Sequence, residues 1–241
     1  MTSSWRSAEL RQLFAKKRVL NKRIEMQTDN EAAVLCRRIY IKTKDIYKTI
    51  PDGPGKLGFQ ILYGPPFREA PILFIGYQPG TGLKSPEEER EYGSEDGWPS
   101  VCEFATENWV LAKKMRRMFG RELLQRCVGV NAIFMRSPSL EHYRKHVTLE
   151  VRRKIEKFCL VQITEMVETL RPKVVVVMGF ETLALFGKSK SVLISEGSQR
   201  VLAKTGSVAG REAIGTLHLS GARISALDRA AIASHILAGI T

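Results

Sequence analysis

The sequence predicts an α/β fold in which helices flank a central, mainly parallel sheet of four strands. Four short apolar runs support this class, at residues 72–75, 128–134, 174–178 and 213–217. Segments with the periodicity of amphipathic helices separate the runs, at residues 108–119, 149–170 and 182–186, and another follows at residues 227–240. Strands that alternate with helices pair in parallel through right-handed crossovers, so we expect a three-layer sandwich.

The composition is that of a folded, basic protein of 241 residues. Lys and Arg number 38 against 25 Asp and Glu, which gives a formal net charge of +13 at pH 7. Hydrophobic residues make up 44% of the chain, which excludes a disordered polycation and a collagen-like or low-complexity chain. The length is sufficient for one α/β domain with a sizeable core.

The N-terminal part is predicted to be a basic helical extension over residues 1–50, packed on an α/β domain that spans residues 51–241. Residues 7–47 have helical periodicity among clustered Lys and Arg, and Asp29 is placed to cap the second helical segment. A charge run of this kind is either a solvated helix face or an element that grips DNA, and both interpretations stay open.

Charges near the start of the chain interrupt any apolar stretch of the kind that a secretion signal needs. No apolar run reaches the roughly 18–20 residues of a membrane span either. We therefore expect a cytoplasmic protein, associated with the nucleoid, that does not bind membranes.

The cysteines are far apart and form no Cys-x-x-Cys pair, and no His lies near them at metal-finger spacing. They are Cys36, Cys102, Cys127 and Cys159. Each lies in an apolar or helical context, which predicts buried free thiols in a reducing compartment. We therefore expect no metal centre and no cofactor; a zinc or iron–sulfur site built from distant ligands that converge in space is the alternative.

Ligand sites of open parallel sheets lie beyond the carboxyl ends of the strands, so the residues that follow each apolar run are the first candidates. The Gly- and Pro-rich residues 51–71 predict a loop that leads into the first run. This run continues into Gly76-Tyr77-Gln78-Pro79-Gly80, where glycines permit close approach of a ligand to the backbone. Gln78 would project into the crevice, although a plain turn is the alternative interpretation.

Two further polar residues stand at the ends of other runs. Asn131 lies within an apolar run and must find hydrogen-bond partners, either the backbone of a bend or the Watson–Crick edge of a base. His218 emerges beside Ser220 and Gly221, where backbone amides can meet a phosphate. A purely structural histidine remains the alternative for His218.

This constellation resembles the uracil-DNA glycosylase superfamily in the content and the order of its motifs. Residues 76–80 are similar to the first motif, Gly-Ile-Asn-Pro-Gly in the mismatch-specific branch, Gly-Met-Asn-Pro-Gly in the single-strand-selective branch and Gly-Gln-Asp-Pro-Tyr in the main uracil branch. Residues 131–138 are similar to the element Asn-Val-Val-Lys-Cys-Arg-Pro-Pro of the iron–sulfur branch, with Asn131 and Arg136 in register. Residues 218–220, His-Leu-Ser, are similar to the C-terminal His-Pro-Ser motif, and the resemblance covers about residues 72–240.

The sequence departs from the family pattern at several positions. Gln78 replaces the Asp or Asn that positions or activates water, and an amide cannot act as a general base at neutral pH. Leu219 replaces the Pro of the last motif, and the cysteine pattern of the iron–sulfur branch is absent. Gly80 stands where the main uracil branch has a Tyr that excludes thymine, so a pocket open to larger bases is expected.

The resemblance implies a monofunctional glycosylase that acts as a monomer, flips uracil or a related damaged base out of DNA and hydrolyses its N-glycosidic bond. In this reading His218 stabilises the departing base and Gln78 positions the water. Asn131 reads the base, with Tyr77 and a stacking aromatic ring beside it. The candidates for that ring are Trp98, Tyr92 and Phe104, and the neighbouring Gly97 and Pro99 favour Trp98.

The resemblance also implies phosphate contacts from Gly80, Ser220 and Arg136. Arg223 falls where relatives carry a residue that wedges into the duplex, and an ordinary surface arginine is the alternative. Two other functions stay open. A catalytically silent nucleic-acid-binding member of the superfamily would explain Gln78, Leu219 and the positive charge, and a nucleoside-processing enzyme could use a similar sheet.

Overall fold

The computed structural model describes residues 30–80, 98–220 and 223–240. Residues 30–48 are helical and are called α1. The strands are β1 Ile72–Gly76, β2 Val128–Asn131, β3 Val174–Met178, β4 Lys190–Ile194, β5 Val201–Val208 and β6 Arg211–Thr216. The other helices are α2 Glu103–Thr106, α3 Val110–Phe119, α4 Arg121–Leu124, α5 Leu140–His146, α6 Leu149–Leu170, α7 Phe180–Ala184 and α8 Ala226–Ala238.

The strands form one mixed sheet in the order β2-β1-β3-β6-β5-β4. The strands β2, β1, β3 and β6 run parallel to one another, whereas β5 and β4 are antiparallel to their neighbours. The predicted α/β class is confirmed, and each of the four apolar runs overlaps one of the parallel strands. The sheet has six strands rather than the four expected, because β4 and β5 extend it at one edge.

Helices cover both faces of the sheet. Alternate residues of a strand point to opposite sides, so each buried strand contributes side chains to both faces. Leu73 and Ile75 of β1 belong to a hydrophobic cluster that also contains buried residues of α1 and α6. Ile72 and Phe74 belong to a second cluster, which contains buried residues of α2, α3, α4 and α8. The parallel strands are therefore buried on both sides, as expected for strands joined by helical crossovers.

Helix α1 is part of the core rather than a solvated appendage. Ala32, Cys36 and Ile39 are fully buried in the first cluster. Arg38 also forms an ion pair with Glu165 of α6. The predicted cap Asp29 and the rest of the extension, residues 1–29, lie outside the described residues.

The loop before β1 is attached to the sheet. Phe59 forms an isolated antiparallel bridge with Met135, and Leu62 forms one with Val130 of β2. These contacts cover the free edge of β2, which would otherwise expose unpaired backbone groups. They also bring residues 59–63 to the end of the sheet where β2 finishes.

All four cysteines are buried and free, which confirms the expectation from their spacing. Burial raises the pKa of the thiols of Cys36, Cys127 and Cys159 to about 12, and that of Cys102 to about 11. These thiols are therefore protonated and unreactive at neutral pH. Within the described ranges, no helix combines the length and the apolar character needed to cross a membrane.

Candidate functional site

A cavity of about 750 Å³ opens at the carboxyl ends of the four parallel strands. Six residues predicted from the sequence line this cavity, and they come from three different strand ends. They are Tyr77, Gln78, Gly80, Asn131, His218 and Ser220. The parallel arrangement therefore brings together segments that are up to about 140 positions apart in the chain.

Asn131, the last residue of β2, is held by a side chain and not by the backbone of a bend. It is 2% exposed, and its Nδ2 donates a hydrogen bond of 2.9 Å to the hydroxyl oxygen of Tyr63. Gly76 is its register partner on β1, and a Cβ built there would lie only 2.6 Å from Asn131 Oδ1. The glycine therefore leaves the space that the amide occupies.

An aromatic wall forms one side of the cavity. Tyr63 stacks on Phe104 with ring centroids 5.1 Å apart, and Trp109 packs against both rings at 5.5 and 5.6 Å. Gly129 makes room for this wall, because a Cβ there would lie 2.5 Å from Phe104 Cε2. Burial raises the pKa of Tyr63 to about 12, so its hydroxyl stays protonated and can accept from Asn131.

The aromatic residue favoured by the sequence is not part of this wall. Trp98 packs against the first hydrophobic cluster and is not among the residues that line the cavity. Tyr92 lies outside the described residues. Of the three candidates, Phe104 is the one that the structure places at the cavity, together with Tyr63 and Trp109, which the sequence did not suggest.

Gln78 lines the cavity with an unsatisfied acceptor. Its Oε1 is buried and has no hydrogen-bond partner among the described residues. A buried carbonyl oxygen without a partner is costly, so this atom is suited to accept a hydrogen bond from a water or from a ligand. The amide can orient such a molecule but cannot take a proton from it at neutral pH.

His218 is held as a neutral hydrogen-bond donor. Its Nδ1 accepts from the backbone N–H of Ser220 at 3.4 Å and lies 2.8 Å from Ser220 Oγ. Because a backbone N–H can only donate, Nδ1 must be the unprotonated nitrogen, and the ring proton is on Nε2. Burial lowers the pKa of His218, and the positive charge of Lys114 lowers it further.

Lys114 of α3 also fixes the turn that carries this histidine. Its Nζ donates to the carbonyl oxygen of Ser220 at 2.6 Å. The Oγ of Ser220 is already within hydrogen-bond distance of the imidazole, so this residue is engaged on both its main chain and its side chain. The contacts explain how an exposed turn keeps His218 in one tautomer.

Arg136 belongs to a buried network, and the structure does not support the predicted phosphate contact. It is 8% exposed, and its two terminal nitrogens donate to the carbonyl oxygen of Gly80 and to Gln60 Oε1, both at 3.0 Å. Gln60 in turn donates to the buried carboxylate of Glu103 at 3.0 Å. Arg136 thus ties the turn at Gly80 to the segment that follows β2.

The remaining predicted DNA contacts lie at the surface. Gly80 is exposed, and a Cβ there would meet no atom within 4 Å. Arg223 is exposed and outside the cavity lining, and its carbonyl oxygen accepts from Arg200 at 3.1 Å. Both positions are accessible to a polymer lying across the cavity mouth.

The polar residues at the site that the sequence did not indicate include Tyr63, Lys114 and Glu181. Glu181 lines the cavity three residues after the end of β3, so the same search of strand ends would have found it. Tyr63 and Lys114 lie in a loop and in a helix, where no local pattern indicates a contact with Asn131 or Ser220.

Comparison with protein-family models gives no match, and no curated protein is significantly similar in sequence. The case for a function therefore depends on the motif residues and on the chemistry of the cavity that they line.

Proposed function

We propose that the protein is a monofunctional DNA glycosylase, which flips uracil or a related deaminated or damaged base out of DNA and hydrolyses its N-glycosidic bond. The observation that carries the proposal is that Gln78, Asn131 and His218 line one cavity. These are the three residues that the motif resemblance assigns to water positioning, base reading and leaving-group stabilisation. An aromatic wall beside Asn131 supplies a surface on which a flipped base can stack.

The cavity lining suits a neutral heterocycle better than a phosphate. No Lys or Arg is found among the described lining residues, and the carboxylate of Glu181 would repel an anion. Asn131 offers both a carbonyl oxygen and an N–H, since only one Nδ2 hydrogen is engaged by Tyr63. This pair matches the N3–H donor and the O4 acceptor of uracil.

Breaking the bond between C1′ and N1 leaves negative charge on the base, and a fixed donor at its O2 lowers the barrier. His218 carries its proton on Nε2 and needs no deprotonation to act in this way. A neutral donor held in place before the reaction stabilises the developing charge without reorganisation. Gln78 Oε1, which has no partner within the described part of the chain, is available to hold the water.

The net charge of +13 supports a polyanionic partner outside the cavity. Phosphate contacts at the mouth are assigned to Gly80 and Arg223, with further contacts from the basic residues 1–50, because the N–H and the hydroxyl of Ser220 are already engaged by His218. Such contacts are independent of sequence and weaken as salt concentration rises. The protein would then search DNA through its charge and select a base through its neutral pocket.

A catalytically silent reader of uracil in DNA is the second candidate, and the amide of Gln78 favours it. Members of the superfamily that the sequence resembles have Asp or Asn at that position, and a glutamine supplies no general base. A silent reader would bind uracil-containing DNA without releasing the base.

Release of free uracil from labelled oligonucleotides separates these functions. Single-stranded DNA and a G:U duplex should both lose uracil, and His218→Ala should slow release by about 100- to 1,000-fold. Asn131→Ala should weaken selection of uracil, whereas His235→Ala, in α8 and away from the cavity, should match the unaltered protein.

Each other outcome has a definite meaning. Uracil left intact in both substrates would overturn the glycosylase proposal, and selective binding without release would identify the silent reader. Turnover of free deoxyuridine would indicate a nucleoside-processing enzyme instead.

A further inference from the structure

Hydrolysis of the N-glycosidic bond is faster when a protein group receives the proton of the attacking water, and Gln78 cannot be that group. The ionisable side chains of the described cavity lining are Tyr63, Tyr77, Glu181 and His218. Both tyrosines have raised pKa values, because they are buried, and are not bases near neutral pH. His218 has its unprotonated nitrogen turned to Ser220.

Glu181 is therefore the one carboxylate that the described lining offers. The sheet order places its strand, β3, between β1 and β6, so Glu181 follows the strand that separates the Gln78 segment from the His218 segment. Burial raises the pKa of Tyr77, and the negative charges of Glu156 and Glu181 raise it further. Glu181 thus stands electrostatically close to the residue next to Gln78.

A rigid turn presents Glu181 to the cavity. Gly179 has a positive φ of 103°, which lets the chain pass directly from β3 into α7. A Cβ there would lie 3.7 Å from His218 Cδ2, so this turn packs against the histidine. Thr182 Oγ1 donates to the carbonyl oxygen of Met178 at 2.9 Å and fixes the first turn of α7.

The carboxylate of Glu181 has no partner within the part of the chain that the structure describes. Among the described residues, none forms an ion pair or a hydrogen bond with it, whereas Glu31, Glu103, Glu150 and Glu165 all have such partners. An exposed carboxylate that faces a cavity without a partner can turn toward a bound water.

We propose that Glu181 is a catalytic residue of the glycosylase reaction and the proton acceptor that compensates for Gln78. This inference rests on the proposed function. As the bond between C1′ and N1 breaks, its electron pair leaves with the base, whose O2 is stabilised by the Nε2–H of His218. The oxygen of a water held by Gln78 forms the new bond to C1′, and one proton of that water passes to Glu181.

The same carboxylate stabilises the positive charge that develops on the sugar before the new bond is complete. After the reaction, the proton passes from Glu181 to solvent or to the released base anion. The products are an abasic sugar and neutral uracil, so atoms and charges balance.

Single-turnover uracil release with Glu181→Gln tests this role. We expect the rate constant to fall by about 100-fold or more at pH 7.5, in the range of general base catalysis. Affinity for uracil-free DNA should stay equal or increase slightly, because a negative charge near the phosphates is removed. Glu168→Gln, an equally conservative change at an exposed position of α6, is the matched control and should release uracil at the unaltered rate.

Chemical rescue distinguishes a proton acceptor from a structural role. Azide is an anionic nucleophile that needs no deprotonation. Azide at roughly 0.1–1 M should therefore restore base release in Glu181→Gln and yield a 1′-azido sugar. It should not restore release in His218→Ala, which lacks leaving-group stabilisation. Glu181→Asp should keep part of the activity.

The outcomes for the function and for this residue are separable. If the unaltered protein releases no uracil, the proposed function fails and the role of Glu181 fails with it. If the unaltered protein releases uracil and Glu181→Gln stays within threefold of Glu168→Gln, the glycosylase stands and Glu181 is not its base. A large loss that azide does not rescue would also overturn the proton-acceptor role.

Discussion

Replacing Gly76 with alanine should disable the site by moving one side chain. Gly76 and Asn131 are register partners on β1 and β2. The added methyl carbon would lie 2.6 Å from Asn131 Oδ1 and 3.7 Å from Met178 Cε. The second distance is an ordinary contact and the first is a clash, so the amide of Asn131 has to move.

The size of this movement sets the expected loss. To go from 2.6 Å to an ordinary contact of 3.4 Å, the oxygen must shift by roughly 0.8 Å. A misplacement near 1 Å in a reacting complex costs about 100-fold in rate, which corresponds to about 2.7 kcal/mol. The shift also strains the hydrogen bond to Tyr63, and overpacking of a close-packed interior costs about 1–3 kcal/mol of stability.

The assay is single-turnover release of uracil from a single-stranded oligonucleotide, combined with thermal unfolding. Gly197→Ala is the matched control, because a Cβ at that glycine meets no atom within 4 Å. We expect Gly76→Ala to lose about 100-fold in rate and to unfold several degrees lower, at about 2–4 °C per kcal/mol for a domain of this size. A rate within threefold of the Gly197→Ala control would refute the steric argument.

Three further changes test other contacts of the site. Tyr63→Phe leaves Asn131 Nδ2 without the hydroxyl to which it donates. This should lower the free energy of unfolding by about 1–3 kcal/mol and weaken discrimination of uracil from cytosine. Stability and selectivity equal to those of the unaltered protein would contradict this. Lys114→Met should raise the pKa of His218 in an NMR titration, and an unchanged pKa would show that the lysine has no such effect. Because the folded-state pKa of His218 lies below the unfolded value of about 6.5, its contribution to stability is present above that pH and is lost as the pH falls below it. Arg136→Met should lower the free energy of unfolding in urea by about 1–3 kcal/mol, since it removes the donor to the buried Gln60 Oε1, whereas the exposed Arg153→Met should change it little.

Three of the four parallel strands, β1, β2 and β3, could be predicted because each is an almost uninterrupted apolar run, whereas β6 begins with the exposed Arg211 and Glu212. All residues of β1, β2 and β3 are buried, so both of their faces had to be apolar. The antiparallel strands β4 and β5 carry no such signal. Every residue of β4 is exposed or partly exposed, and its sequence Lys-Ser-Val-Leu-Ile resembles a surface segment.

The location of the site could also be predicted, since parallel strands must end at one edge. Gln78, Asn131 and His218 lie at the carboxyl ends of three parallel strands, β1, β2 and β6, and the cavity lies where those strands end. The partners of these residues could not be predicted in the same way. Tyr63 reaches Asn131 across 68 positions, and Lys114 reaches Ser220 across 106, through packing that no local pattern encodes.

Residue chemistry alone did not predict the surroundings of Arg136 and Trp98. An arginine beside a ligand motif suggests a phosphate contact, but burial converts Arg136 into a support for the turn at Gly80. The Gly and Pro around Trp98 predict a turn, and a turn does not determine which way its aromatic side chain faces. Orientation depends on the neighbouring layer, which here includes the first hydrophobic cluster.

The positions of the charged residues fit both parts of the proposed activity, which are the binding of DNA and the release of a base. A cation inside the base pocket would compete for the developing negative charge at O2 and would also attract backbone phosphates into the space reserved for the base. The protein instead keeps Lys114 behind the turn that carries His218, where it binds a carbonyl oxygen and favours the neutral imidazole. Arg136 likewise faces Gly80 and Gln60 from inside the protein. In the proposed activity, the excess of +13 attracts DNA while the pocket presents neutral groups and the single carboxylate of its described lining, Glu181, the proposed proton acceptor.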